Sequence, residues 1–157
     1  MKFCGPLIVV KDLAVSVRFY QELFGLVVAY DFGENVAFAG GPVLQSLSSF
    51  AQMTGVGEDT IFCRPHNMEL YFEEEEFDLF IARLKTMPDI RYVHDVVEHP
   101  WGQRVVRIYD PNFHMIEIGE SMEVVIRRCL VKGMSVEETA AKTQHPRELV
   151  ERIQQSL

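Results

Sequence analysis

Glu69 and Glu117 are the residues of this chain best placed to do chemistry, because each sits in a short run that alternates apolar and polar. In Glu69-Leu70-Tyr71-Phe72-Glu73 the period of two that a strand imposes sends Leu70 and Phe72 to one face and Glu69 and Tyr71 to the other. In Met115-Ile116-Glu117-Ile118 it opposes Glu117 to Ile116 and Ile118. In the run 103–109 it puts Val106 and Ile108 on the packed side and leaves Gln103, Val105, Arg107 and Tyr109 on the open one. Solvating either glutamate, the ordinary fate of the residue type, would expose Leu70, Phe72, Ile116 and Ile118. Two carboxylates turned into one space can bind a donor-bearing ligand or a hard cation. Close together, they raise one another's pKa until one serves as a base near neutral pH. Arg107 is the cation these strands turn the same way, and its planar fork suits carboxylates. Glu117 and Glu69 are therefore the candidate catalytic residues, expected to approach each other with Arg107 or water satisfying them. Gln45, Tyr71, Gln103, Arg107, Tyr109 and Trp101 are candidate ligand-binding residues, with Gln45 expected to point into the same space from the first module. Such a site prefers a neutral or cationic molecule with hydrogen-bond donors over a polyanion.

Other chemistry-bearing types are less telling. His66, His94, His99, His114 and His145 lack the spacing of a helical metal-ligand pair. His94, on a strand, and His99, before Pro100, read as surface or turn residues rather than rim residues of a site. Trp101, in His-Pro-Trp-Gly, reads as a stacking wall or a hairpin anchor. No nucleophile elbow, phosphate loop or dinucleotide fingerprint occurs. Cys4, Cys63 and Cys129 are odd in number and lack CxxC spacing, so they read as reduced thiols of a cytoplasmic protein. The N-terminus has no signal-peptide pattern, and no apolar run approaches the ~20 residues that span a bilayer.

The elements that must position these residues repeat. Residues 3–10 read as a strand, Asp12 as an N-cap, and 13–24 as a helix stopped by Gly25. Residues 26–32, 36–39 and 43–47 read as short strands split by Gly33-Glu34-Asn35 and Gly40-Gly41-Pro42. Residues 48–60 have weak periodicity and read as a linker. The order then recurs: strand 68–73, a helix with Phe77, Phe80, Ile81 and Leu84 on one face, and strands 92–97, 103–109 and 115–118. The result is an α+β fold of two tandem βαβββ modules, about 1–48 and 61–120, followed by a helical tail, 121–157. In the tail, Ser135 and Glu138 form a capping box, and Pro146 opens a helix carrying Leu149, Val150 and Ile153.

The formal charge is −8, and residues 1–120 hold nine Lys/Arg against eighteen Asp/Glu. That balance opposes phosphate binding. The tail is similar to the short helix pair of helix-turn-helix proteins. Its last helix offsets Arg147 and Arg152 with Glu148 and Glu151, so the charge opposes nucleic acid as a partner, and packing on the domain or in a dimer is the expected role.

Three strings carry a resemblance. They are Leu7-Ile8-Val9-Val10-Lys11-Asp12-Leu13 with Ser16, Phe19-Tyr20 and Leu23-Phe24-Gly25-Leu26; Glu69-Leu70-Tyr71-Phe72-Glu73; and Trp101-Gly102-Gln103-Arg104 with Asp110-Pro111 and His114-Met115-Ile116-Glu117-Ile118. Together they resemble the vicinal-oxygen-chelate superfamily of glyoxalases, bleomycin-resistance proteins and extradiol dioxygenases, over roughly residues 3–120. The resemblance implies that the modules curl into a cup. It also implies that metal-dependent members take one ligand from each of four positions, here Gly5, Gln45, Glu69 and Glu117, with Gly5 the repeat of Glu69 and Gln45 the repeat of Glu117. Gly5 has no side chain, Gln45 is a weak neutral donor, and no imidazole is present. Zinc, nickel and iron(II) are poorly served; a hard divalent metal on Gln45, Glu69 and Glu117 is the weaker alternative. The expected function is binding of a small organic molecule without a tightly held transition metal, in a homodimer. The alternative is a metal-dependent glyoxalase-like lyase/isomerase or dioxygenase using Glu69 and Glu117. Phe113 stands where the family turn usually has Gly, which suggests a different turn there.

Overall fold

The computed structural model describes residues 1–157 except Cys63 and Pro65, so the reading of Cys63 lies outside the described residues. The chain forms two compact units, residues 1–68 with 110–114, and residues 69–109 with 115–157.

In the first unit, β1 (Leu7–Val10) leads into α1 (Leu13–Phe24), then β2 (Val28–Asp31), β3 (Asn35–Phe38) and β4 (Val43–Ser46). The sheet order is β1-β4-β3-β2, with β1 parallel to β4 and the other pairs antiparallel. Asp12 caps α1 by accepting from Val15 N at 2.9 Å, and Gly25 ends it at φ 65°, a conformation that Gly adopts without a Cβ penalty. Ile8, Val10, Tyr20, Leu23, Val36, Phe38 and Leu44 are buried together as its core.

The expected linker at 48–60 begins instead with α2 (Leu47–Thr54), followed by a 3-10 turn at Glu58–Thr60. Its start is local chemistry: the Ser46 side chain accepts from Ser49 N, and Gly55 closes the helix at φ 77°. The short stripe of Leu47, Phe50 and Ala51 buries only Ala51 fully, which explains why periodicity alone did not reveal it.

Residues 110–114 pack as part of this first unit. Tyr20 Oη donates to Asp110 Oδ2 (3.1 Å), Lys11 N donates to Asn112 Oδ1 (2.8 Å), and Asn112 Nδ2 donates to Ser16 Oγ (2.8 Å). Asp110 also accepts from the backbone N–H groups of Asn112 and His114. Phe113 does not change the turn as expected: it takes φ 66°, the left-handed conformation itself. The Asp110 carboxylate over-determines that turn, so a bulky residue is held where Gly is the easier choice.

In the second unit β5 (Glu69–Glu74) leads into α3 (Phe77–Leu84), then β6 (Arg91–Glu98), β7 (Arg104–Tyr109) and β8 (Met115–Glu120), with sheet order β5-β8-β7-β6. This repeats the first unit's connectivity, β5 being parallel to β8 and the other pairs antiparallel. Val106, Ile108, Ile116 and Ile118 are buried, as are Phe77, Phe80 and Leu84 of α3. The tail is α4 (Met122–Val131), α5 (Val136–Thr143) and α6 (Arg147–Gln154), and it clusters with this unit. Ser135 and Glu138 form both halves of the expected capping box. Ile126, Leu130, Val150 and Ile153 make a small apolar core, flanked by Val136, Ala140 and Leu149.

Candidate functional site

The register of the second sheet assembles the predicted residues on one face. Glu117 on β8 stands opposite Tyr71 on β5 and opposite Arg107 on β7, while Glu69 pairs with Met115 one step along the same face. Arg107 reaches across β8: its Nε donates to Glu69 Oε2 (2.8 Å), and Nη2 donates to Glu69 Oε1 (3.4 Å) and forms an ion pair with Glu117 Oε2. Glu117 is buried, and its Oε2 receives no well-formed hydrogen bond; its compensation is the ionic contact alone. Glu69 is more open, its side chain 35% exposed. One guanidinium therefore joins both carboxylates, as alternation and charge balance required.

His94 completes the cluster. Its Nε2 lies 3.2 Å from Arg107 Nη1 and its Nδ1 lies 2.7 Å from the Asp95 carbonyl. The carbonyl can only accept, so Nδ1 carries the proton and Nε2 accepts from Arg107. Reading His94 as a surface or turn residue missed this contact. β6 has register shifts on both sides of His94, and irregular pairing removes the alternation by which a strand residue is assigned a face. Tyr109 lies at the far end of the same face, paired with Met115 and Arg91.

A second network runs beside the first. Trp101 Nε1 donates to Gln103 Oε1 (3.0 Å), Gln103 Nε2 donates to Tyr71 Oη (2.8 Å) and to the Glu120 carbonyl (3.0 Å), and Tyr71 Oη donates to Glu73 Oε1 (2.9 Å). Partial burial pushes the Tyr71 phenol above its ordinary pKa; the bond from Gln103 opposes this and the Glu73 carboxylate adds to it. Gly119 makes the network possible, since a Cβ there would stand 2.6 Å from Gln103 Nε2 and 3.2 Å from Tyr71 Oη. Trp101 also stacks on His99 at 4.3 Å between ring centroids. Val105, expected on the open face, is fully buried between Gln103 and Arg107.

Gln45, in the first unit, is spent on α2. Its Nε2 donates to Ser49 Oγ (3.1 Å) and contacts Met53 Sδ (3.0 Å), and its Oε1 accepts weakly from Asn35 Nδ2 (3.5 Å). The rungs also correct the repeat. Gln45 pairs with Val9 and with Asn35, as Glu117 pairs with Tyr71 and with Arg107. With Gln45 matched to Glu117, the match of Glu69 on β1 is Leu7, not Gly5. β5 runs two residues further than β1 between that rung and its helix cap, from Tyr71 to Glu76 against Val9 to Asp12, which hides the offset from a sequence comparison. In either alignment the first strand supplies no ligand atom.

These donors do not fit a divalent metal. The place between Glu69 and Glu117 is taken by the Arg107 guanidinium, the Gln45 amide is held by α2, and Leu7 is apolar. Among the described residues no group of three or more His, Cys, Asp or Glu side chains could hold a metal ion.

Elsewhere in this unit Glu120, 1% exposed, accepts from Arg104 at 3.0 and 3.2 Å and pairs with Arg128. Burial works to raise its pKa, but the two guanidinium groups hold the carboxyl below its usual value. A recess of about 490 Å³ opens beside it, lined by none of the candidate catalytic or ligand-binding residues. Two of its three cations, Arg104 and Arg128, are already committed to Glu120 and Asp78; the third is Lys132.

Comparison with known proteins agrees with this architecture. Residues 3–123 match the model of the glyoxalase-like domain, and the chain belongs to that family, within the vicinal-oxygen-chelate superfamily. A protein of unknown function from Agrobacterium tumefaciens shares 33% identity, with 77% of this chain and 94% of that one covered and a TM-score of 0.67. Two more distant structures share the fold. A glyoxalase-related enzyme from Fulvimarina pelagi is 21% identical over 76% of this chain and 88% of that one, at TM-score 0.62. A lactoylglutathione lyase from Agrobacterium tumefaciens is 21% identical over 77% and 94%, at TM-score 0.60. A search of curated proteins finds no match. No helix among the described residues is long and apolar enough to cross a membrane.

Proposed function

We propose that this glyoxalase-like protein binds a small organic molecule on the open face of its second sheet and holds no transition metal there. The observation that supports this is the seat of Arg107 on both Glu69 and Glu117, with His94 against its third nitrogen. A metal would have to displace a cation that is already bonded at full charge to its would-be ligands. The cluster carries two carboxylates against one guanidinium, so it favours a neutral or cationic ligand that donates hydrogen bonds over a polyanion. Glu69, the more exposed carboxylate, meets the ligand first; Tyr71 and Tyr109 flank it on the same face. The test is calorimetric titration with benzylamine, benzyl alcohol and benzylphosphonate. The amine and alcohol are expected to bind and to weaken at least about fivefold in Glu69→Gln. Preferential binding of the phosphonate would contradict the reading.

A second reading is a lyase/isomerase in which Glu117 is the base; its support is the placement of this buried carboxylate on the open face, where Arg107 is shared with Glu69. The protein is further read as a cytoplasmic homodimer. Cys4 and Cys129 are free thiols, and Tyr30 and Phe32, stacked at 6.0 Å, expose an aromatic pair at the β2 edge of the first sheet.

A further inference from the structure

The tail does more than cover apolar surface. A pocket of about 300 Å³ in the second unit is lined on one side by Trp101, Gln103 and Met122 and on the other by the α5–α6 turn, Thr143 to His145. The matched family region ends at residue 123, so this second wall comes from a segment outside it.

The wall is built, not incidental. Gln144 ends α5 in the left-handed conformation at φ 59°, and Pro146 caps α6. Thr143, 1% exposed, anchors its hydroxyl on the Thr139 carbonyl at 2.8 Å. His145 Nδ1 lies 2.7 Å from the Thr143 carbonyl, which can only accept, so Nδ1 donates and Nε2 is the ring nitrogen left to accept. Opposite it, Trp101 is fixed by its bond to Gln103 and by His99 on one ring face. His99 stacks on Trp101 and does not itself line the pocket. Gln103 has both donor hydrogens and its oxygen engaged.

We propose that this pocket is a binding site for a planar aromatic group bearing an N–H or O–H donor, which stacks on Trp101 and donates to His145 Nε2. The volume suits a ring with one small polar substituent. Thioether and indole walls favour a flat π-system, and the fixed acceptor on the tail sets the polarity of the substituent. The site does not depend on the reading of the Arg107 cluster, which lies four residues along β7 from Gln103, about 13 Å at the rise of a strand.

Trp101 is the protein's single tryptophan, so its fluorescence reports on this pocket directly. The full-length protein is titrated with benzamide, with cyclohexanecarboxamide (the same amide without the flat ring) and with N,N-dimethylbenzamide (the same ring without the donor). Benzamide is expected to change Trp101 emission saturably, each comparator binding at least about fivefold more weakly. His145→Ala, whose folding is checked by circular dichroism, is expected to weaken benzamide by a similar factor and to erase the difference between benzamide and its dimethyl form. Arg107→Met is expected to leave the titration unchanged, so failure of the Arg107 reading would not be mistaken for failure here. No saturable change with benzamide, or equal binding of all three probes, or full binding to His145→Ala would overturn the proposal.

Discussion

Tyr20 Oη donates to Asp110 Oδ2 across 90 residues of sequence, inside the core of the first unit. Tyr20 is 0% exposed and Asp110 1%. Burial first, and then the Asp110 charge and bond, raise the phenol pKa well above its ordinary value. A group whose folded pKa is raised contributes stability fully below its unfolded pKa, about 10 for Tyr, and loses it as pH rises through the folded value. Tyr20→Phe should cost about 1–2 kcal/mol at neutral pH. The difference from wild type should shrink above about pH 10, as read by urea denaturation. A cost that does not change with pH would argue against the assignment.

Glu120 gives the opposite sign. Its folded pKa is lowered by Arg104 and Arg128, so its contribution is present above the ordinary glutamate value, about 4.3, and is lost as pH falls through the depressed one. Glu120→Gln should destabilise by about 1–3 kcal/mol, less than a fully buried pair because both arginines keep a quarter of their surface in water. The protein's acid unfolding midpoint should move less with added salt than the stability of exposed pairs such as Arg147–Glu137.

The tail is expected to behave as part of the second unit. Ile126 is fully buried in the small core shared by α4 and α6. Ile126→Ala should cost about 2–4 kcal/mol and lower the single unfolding transition of the second unit. A separate, low-temperature transition confined to the helices in calorimetry would show the tail to be an independent module.

Much of this was legible in the sequence because alternation is strict where a sheet has one packed face. Ile116 and Ile118 are buried, and Glu117 and Arg107 share the other face, as period two demands. The motif residues Ser16, Tyr20 and Asp110, quoted for the family resemblance, turn out to bond one another through Asn112 and directly. They hold the fold and lie outside the Arg107 cluster. What stayed hidden depended on irregularity. The bulged pairing around His94 removed its face assignment, and the strong cap Ser46 started a helix that its weak apolar stripe did not announce. The longer β5 displaced the repeat by two, from Gly5 to Leu7. Gly119 carries no chemistry of its own, so only its closeness to Tyr71 and Gln103 shows why it must be Gly.

If Arg107 occupies the place of a metal, its removal should create a demand for one. Arg107→Met leaves Glu69, Glu117 and His94 without their common donor. Its affinity for Mn²⁺ or Zn²⁺ should rise about tenfold or more over wild type, a gain of about 1.4 kcal/mol in binding. Unchanged affinity would mean that Arg107 is not what excludes the ion.

The most direct measurement is elemental analysis of the wild-type protein, purified without chelator and then incubated with an equimolar mixture of Zn²⁺, Ni²⁺, Fe²⁺ and Mn²⁺ before desalting. With the Arg107 guanidinium seated on Glu69 and Glu117, the retained metal is expected to lie far below one equivalent per chain. Retention of close to one equivalent of any of the four would contradict the account.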